Sequence, residues 1–280
     1  MTSRHKVTTP PTPAIRPQSR IVHGVALNDD YAWLRAENWR EVLRDPDALP
    51  AEIMAHIEAE NAWCDTLMAP TKALQRELIK EMRGRIKEDD SEPPQPDGPF
   101  LYYSRYRRGG EHPLICRKPR SGTGGKPGRE QVMLDTDALS EGKEFFDLGD
   151  AEHSPDHRLL AWSADEAGSE LYLIRVRDLT IGEDLPDVIA DTSGEMIWAA
   201  DSSAFVYVAL DHDHRPTRVL RHRLGTPQSE DELLYEETDP GLFADIDQTQ
   251  SRRFLLISSS DHETSEVSLV DLQTRPASQG

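Results

Sequence analysis

Residues 149–179 read GDAEHSPDHRLLAWSADEAGSELYLIRVRDL. A turn at Ser154-Pro155-Asp156 leads into the apolar run Leu159-Leu160-Ala161-Trp162, and a polar turn spans Asp165 to Ser169. An alternating strand through Leu171, Leu173, Ile174 and Val176 comes next. Two β-rich runs bounded by turn residues predict a hairpin. The pattern then recurs. Asp201-Ser202-Ser203-Ala204-Phe205-Val206 answers Asp156-His157-Arg158-Leu159-Leu160-Ala161 after 45 positions, and Gln250-Ser251-Arg252-Arg253-Phe254-Leu255 answers again after 49. In the second strand of each hairpin, Glu170, Arg218 and Glu266 stand 48 apart. Short strands repeating with a period in the forties predict four-stranded propeller blades, whereas helical repeats of that length would show a 3.6-residue period. An ordinary antiparallel sandwich is the competing reading.

Inner strands are expected at 146–151, 195–199 and 242–246, with outer strands near Val188-Ile189 and at Leu233-Leu234-Tyr235. Ahead of them, Phe100 to Arg105 and Leu114 to Lys118 predict a hairpin around Gly109-Gly110, and Val132-Met133-Leu134 a further strand. The last unit ends after Val267 to Leu272, which makes about three blades and part of a fourth. Closed propellers have four to eight.

The first 95 residues differ. Residues 1–20 are basic and rich in Pro and Thr, and are expected to be flexible. A short helix is expected over 38–44. A longer one should begin after Pro50, with Ile53, Ile57, Cys64, Leu67 and Met68 on one face. Thr71 is placed to cap another carrying Leu74, Leu78, Ile79 and Met82, stopped by Gly84. These two helices form an antiparallel hairpin or a bent pair joined at Pro70. The acidic, then proline-rich stretch 86–99 favours neither helix nor strand and marks a junction. The expected organisation is a flexible terminus over 1–20, a helical segment and linker over 21–95, and an incomplete β-propeller over 96–280.

The chain of 280 residues carries 32 basic against 51 acidic side chains, a net charge of −19. That argues against recognition of nucleic acid through its phosphates. No apolar run approaches the length of a membrane span, and the start of the sequence shows no secretory signal, so a cytoplasmic protein is expected. Cys64 and Cys116 make no metal signature, and spacing alone leaves a disulfide open. No Gly-x-Ser-x-Gly elbow occurs, and the serines nearest a glycine (Ser121, Ser169 and Ser193) fall in expected hairpin loops. The run Gly122-Thr123-Gly124-Gly125-Lys126 lacks the Ser/Thr and helix of a phosphate loop. Asp211-His212-Asp213-His214 offers metal-binding side chains, yet Asp261-His262-Glu263 sits at the matching place one repeat later, which favours a shared turn. No catalytic, cofactor-binding or metal-ligating residue is assigned, and no cofactor is expected.

Several motifs together carry a resemblance. Asp29-Asp30-Tyr31-Ala32-Trp33-Leu34-Arg35 resembles the amino-terminal signature of the prolyl oligopeptidase family of serine peptidases. Glu58-Ala59-Glu60-Asn61, the run from Glu81-Met82-Arg83-Gly84 to Asp89-Asp90-Ser91, Tyr102-Tyr103-Ser104-Arg105, Cys116-Arg117 and His153-Ser154-Pro155-Asp156 are similar to oligopeptidase B, as are Asp191-Thr192-Ser193-Gly194 and Trp198-Ala199-Ala200-Asp201-Ser202. The similarity runs from about residue 10 to about 272. It implies a helical amino-terminal segment, a seven-bladed propeller that restricts entry, and an α/β-hydrolase domain with Ser, Asp and His that cleaves short peptides after Arg or Lys. Blades beyond the fourth and the hydrolase domain have no counterpart in this sequence. The expectation is therefore an amino-terminal portion, inert by itself, whose partners are short basic peptides and the hydrolase domain. The alternative is a stand-alone propeller-type module that binds peptides or proteins.

Overall fold

The computed structural model describes residues 9–121 and 128–273; the run Gly122 to Lys126 and the tail from Thr274 lie outside the described residues. The chain divides into two compact units, Met1–Lys87 and Glu88–Gly280.

In the first unit, β1 (Gln18–Val22) and β2 (Val25–Asp29) pair antiparallel. His23 and Gly24 join them at φ 50° and 80°, the left-handed pair that a two-residue hairpin turn requires. Residues 18–20, at the end of the stretch expected to be flexible, are thus strand. Helices α1 (Trp39–Arg44), α2 (Ala51–Met68) and α3 (Lys72–Arg83) come after them. Pro50 precedes α2, where its missing N–H costs nothing, and α3 stops at Gly84. Thr71 does not cap α3 with its side chain. Its hydroxyl donates instead to the Met68 carbonyl at 2.7 Å. Because Ala69 to Lys72 keep right-handed helical backbone, α2 and α3 run on as a bent pair.

The second unit is built of blades. Strands β3 (Gln95–Asp97), β4 (Phe100–Arg105), β5 (Leu114–Pro119) and β6 (Gln131–Asp135) form the first, in sequential antiparallel order. A short helix, α4 (Thr136–Ser140), succeeds it, capped by the Asp135 carboxylate accepting from the Ala138 N–H at 3.0 Å. Strands β7 (Asp147–His153), β8 (Leu159–Asp165), β9 (Tyr172–Asp178) and the first half of β10 (Glu183–Trp198) form the second. The second half of β10, with β11 (Ala204–Leu210), β12 (Pro216–Arg223) and β13 (Glu232–Glu236), forms the third. The fourth has three strands among the described residues: β14 (Phe243–Gln248), β15 (Phe254–Ser260) and β16 (Ser265–Asp271). The sandwich reading is set aside by this topology.

Two sequence expectations are corrected. The outer strand near Val188-Ile189 and the inner strand 195–199 are one continuous strand, so Ser193 lies in β10 and not in a loop. β10 bends where it passes between blades. Thr192 donates to the Tyr172 carbonyl at 3.0 Å, and Gly194 sits at φ +96° with its carbonyl accepting from Ser163 at 2.6 Å. A Cβ on Gly194 would stand 2.9 Å from the Tyr172 ring, so the crossing needs glycine. The repeat alignment also shifts. Ladder and turn bonds match Leu159 to Ala204 and Phe254, spacings of 45 and 50 where 45 and 49 were expected. Likewise Leu173, not Glu170, corresponds to Arg218 and Glu266, by pairing with Ala164, Ala209 and Ser259.

That single residue decides the packing, because a one-residue slip turns a strand inside out. Leu160, Trp162 and Ala164 of β8 pack toward the first blade, with Met133, Leu134 and Phe146. Ala161 faces the other way. It joins Ile174, Val176 and Ile189 against Met196, Trp198, Phe205, Tyr207 and Ala209 of the third blade. Val206 and Val208, on the opposite face of β11, then meet Ala244, Ile246, Leu255 and Ile257 of the fourth. Each of the three clusters lies between two blades. β11 is consequently buried at every position, while β15 alternates.

At the outer side of the second and third blades, His222 is fully buried between two carboxylates. Its Nδ1 lies 2.7 Å from Asp231 and its Nε2 3.1 Å from Asp187, while the Tyr207 hydroxyl donates to Asp231 at 2.8 Å. Phe205→Ala leaves a cavity where Trp198, Tyr207 and His222 converge. It is expected to cost about 3–5 kcal/mol, read as a fall in the urea midpoint with unchanged slope.

Candidate channel-side site

Strands β7, β10 and β14 are the innermost of their blades, and a cleft of about 600 Å3 opens along them. Alternation along β7 directs Asp150 and Glu152 to one side, and on β14 it exposes Asp245 and Asp247 while burying Ala244 and Ile246. With the corrected spacings of 45 and 50, Asp150, Glu195 and Asp245 occupy equivalent positions in three successive blades. Repetition therefore stacks like charges.

Burial first, and for Glu152 and Glu195 the neighbouring carboxylates second, raise three carboxyls of this wall. Burial raises the Asp150 carboxyl, with the N–H groups of Ala151 and Met196 pulling partly the other way. Glu152 is exposed on the cleft, yet protein packed around it desolvates the carboxyl; this, with Asp150 beside it, pushes it up to about 7. Glu195 is raised to about 7 by burial and then by Asp245, with which it shares a hydrogen bond. The nearby charge of Asp245 favours the protonated form of Glu195.

The turn end of the cleft is closed by a different group. Asp97 at the end of β3 accepts from His153 Nε2 at 2.8 Å and from the Arg252 guanidinium. Burial works to raise Asp97, but Arg252 and His153 outweigh it and hold the carboxyl below its ordinary range. His153 is lowered by burial, against the pull of Asp97. The Tyr102 ring stacks on His153 at 3.7 Å, and its hydroxyl meets His157 Nδ1 at 2.8 Å. Gly98 is tight against His157, since a Cβ there would lie 2.3 Å from Nε2.

Asp97, His153 and His157 bring one donor atom each within 4.8 Å of one another. They do not form a chelate. The two imidazoles are within 17° of parallel, so their in-plane lone pairs run side by side, and Asp97 already holds a guanidinium. Among the positions the sequence raised, Asp211 is a turn residue. Its carboxylate accepts from the N–H groups of Asp213 and Arg215 at 2.7 and 3.0 Å, as Asp165 and Asp261 do in the neighbouring blades. Ser169 joins the Asp165 turn, Ser193 Oγ is buried in β10, and both cysteines are free. The inner carboxylates were not singled out from the sequence. Their signal was there, in acidic residues recurring at the repeat spacing on predicted inner strands.

Successive antiparallel blades with an acidic inner wall define a β-propeller that presents a channel side. Residues 10–278 match the prolyl oligopeptidase N-terminal β-propeller domain, and the chain belongs to that family. It is 36% identical over 273 residues to a dipeptidyl aminopeptidase BI of Pseudoxanthomonas mexicana, covering 92% of this chain and 36% of that one. It is 29% identical over 258 residues to a protease 2 of Moraxella lacunata, covering 91% and 36%. Among solved structures, oligopeptidase B from Leishmania major superposes with a TM-score of 0.85 at 30% identity, covering 96% of this chain and 38% of that one. The chain thus spans a little over a third of the length of these relatives.

Glu152 provides a test of the wall. Its native carboxyl keeps a proton that the unfolded chain releases, so stability falls as pH rises from about 4.5 to about 7 and levels off above. Glu152→Gln should flatten that fall and raise the urea midpoint at pH 8 relative to the parent. An equal pH slope in the two proteins would show that Glu152 titrates normally.

Proposed function

We propose that this chain is the propeller portion of an oligopeptidase B-like serine peptidase that hydrolyses short peptides after Arg or Lys. The likeness to the Leishmania enzyme supports the subfamily. One observation carries the choice of substrate: carboxylates at equivalent positions on three successive inner strands give the channel side a field that attracts cations. In the complete protein, peptide cleavage proceeds by acyl transfer to a serine, with a histidine base and an oxyanion hole on a hydrolase domain outside this sequence. The propeller's part is to admit short, positively charged peptides and to hold larger chains out. Alone, the chain performs no hydrolysis.

A second reading has its own observation. Among the described residues, strand β16 is paired on one side, to β15, and exposes Val267 and Leu269, an edge suited to adding a strand from another chain. A stand-alone interaction module would use it.

Two measurements decide. The purified 280-residue chain should leave an arginyl amide substrate intact, and robust turnover would end the inert reading. A labelled Arg-containing tetrapeptide should bind more tightly than its Glu-containing counterpart, with affinity falling several-fold between about 50 and 500 mM salt. The double variant Glu195→Gln, Asp245→Asn should remove most of that preference. Equal binding of both peptides would refute the steering role, and a stable monomer that captures uncharged extended peptides would favour the module.

A further inference from the structure

The inner turns of the blades obey a rule, and one of them breaks it. His157, Ser202 and Arg252 hold the left-handed position of the β7–β8, β10–β11 and β14–β15 turns, at φ 62°, 60° and 57°. Each of these turns closes the same way, with N–H to C=O bonds from 157 to 154, 202 to 199 and 252 to 249. The residue at this position bonds the blade before it in the first two cases. His157 of the second blade meets Tyr102 of the first, and Ser202 of the third accepts from the Asp156 N–H of the second at 3.1 Å. By the same rule Arg252 would address the third blade. Its guanidinium instead reaches Asp97 on β3, two blades further back.

Asp97 is built to receive it. The carboxylate is anchored on the side of the first two blades by His153, and the β3–β4 turn is pressed against His157 at Gly98, where no Cβ fits. Arg252 and His153 also line the cleft, so the pair closes its turn end. Neighbouring blades are joined by apolar clusters, and blades one and four are not neighbours.

We propose that Asp97 and Arg252 form an ionic clasp between the first and fourth blades, which sets the curvature of the blade arc and the width of the cleft at its turn end. The pair is partly open to water, with side chains 28% and 55% exposed. Its strength therefore responds to salt, and it is a contact that can open without unfolding a blade.

Spin labels on Arg108→Cys in the first blade and His262→Cys in the fourth, in a Cys64→Ser background, report the inter-blade distance by dipolar spectroscopy. Cys116 is fully buried and does not interfere. Asp97→Asn and Arg252→Gln should each lengthen and broaden the distribution by several ångströms, with circular dichroism unchanged. The charge swap Asp97→Arg, Arg252→Asp should reverse at least half of the change, which a merely structural role would not. One molar salt should open the parent protein in the same direction. Unchanged distances in both single variants, or a swap as open as either, would overturn the clasp. If the variants fail to fold, a salt-insensitive distance in the parent does so equally.

Discussion

A blade of this propeller has two apolar faces, and neither has water as a tolerable neighbour. Strands β8 and β11 carry the consequence in their side chains. Leu160 and Trp162 face one neighbouring blade while Ala161 faces the other, and in β11 Phe205 and Tyr207 point opposite to Val206 and Val208. Such strands read as unbroken apolar runs because both faces are covered, whereas β15 alternates with one neighbouring blade among the described residues. The apolar burial of the domain is concentrated between its blades. Strand pairing sets the register, and the register determines which side chains meet in the next cluster.

The same repetition that stacks apolar side chains stacks charge. Once Leu160, Phe205 and Leu255 fall at equivalent positions, so do Asp150, Glu195 and Asp245. An arrangement selected only for stability would vary these residues, since carboxylates held close resist ionisation and destabilise the fold above their raised titration range. Glu152 and Glu195, both raised to about 7, lie on the inner wall where the field acts on whatever enters. Conflict between local stability and arrangement is the usual mark of a site with a task.

Much of this was legible from the chain. The turn at Ser154-Pro155-Asp156 and the alternation after it predicted a blade, and the repeat predicted its neighbours. The errors came where period-2 logic needs a residue-level register. The interval from Ala204 to Phe254, most of it third blade, holds one more residue than the motif spacing implied, and similarity of composition around Gln250 could not show it. β10 was read as two strands with Ser193 in a loop, and Asp191 and Gly194 stand on either side of that residue. Both take left-handed backbone, yet the ladder continues through Thr192 to partners in two blades. Asp97 was beyond reach for another reason. It sits among prolines with no strand signal, and its partners lie 56 and 155 positions away.

Three sets of acidic side chains show how the surroundings divide roles. Asp187 and Asp231 are almost wholly buried, and the imidazole of His222 bridges them. Nδ1 meets Asp231 and Nε2 meets Asp187, so one ring satisfies both carboxylates away from water. Removing that ring would strand two carboxylates without water, which is why such a group belongs to structure. On the inner wall Glu195 and Asp245 share a hydrogen bond instead, and Asp150 adds its charge to theirs. At the cleft's end, Arg252 supplies a cation to Asp97, from a turn whose counterparts reach only the preceding blade. Position along the strand therefore separates the three uses of a carboxylate here: to pin the outer strands, to hold distant blades together, and to leave a negative field where a charged ligand can meet it.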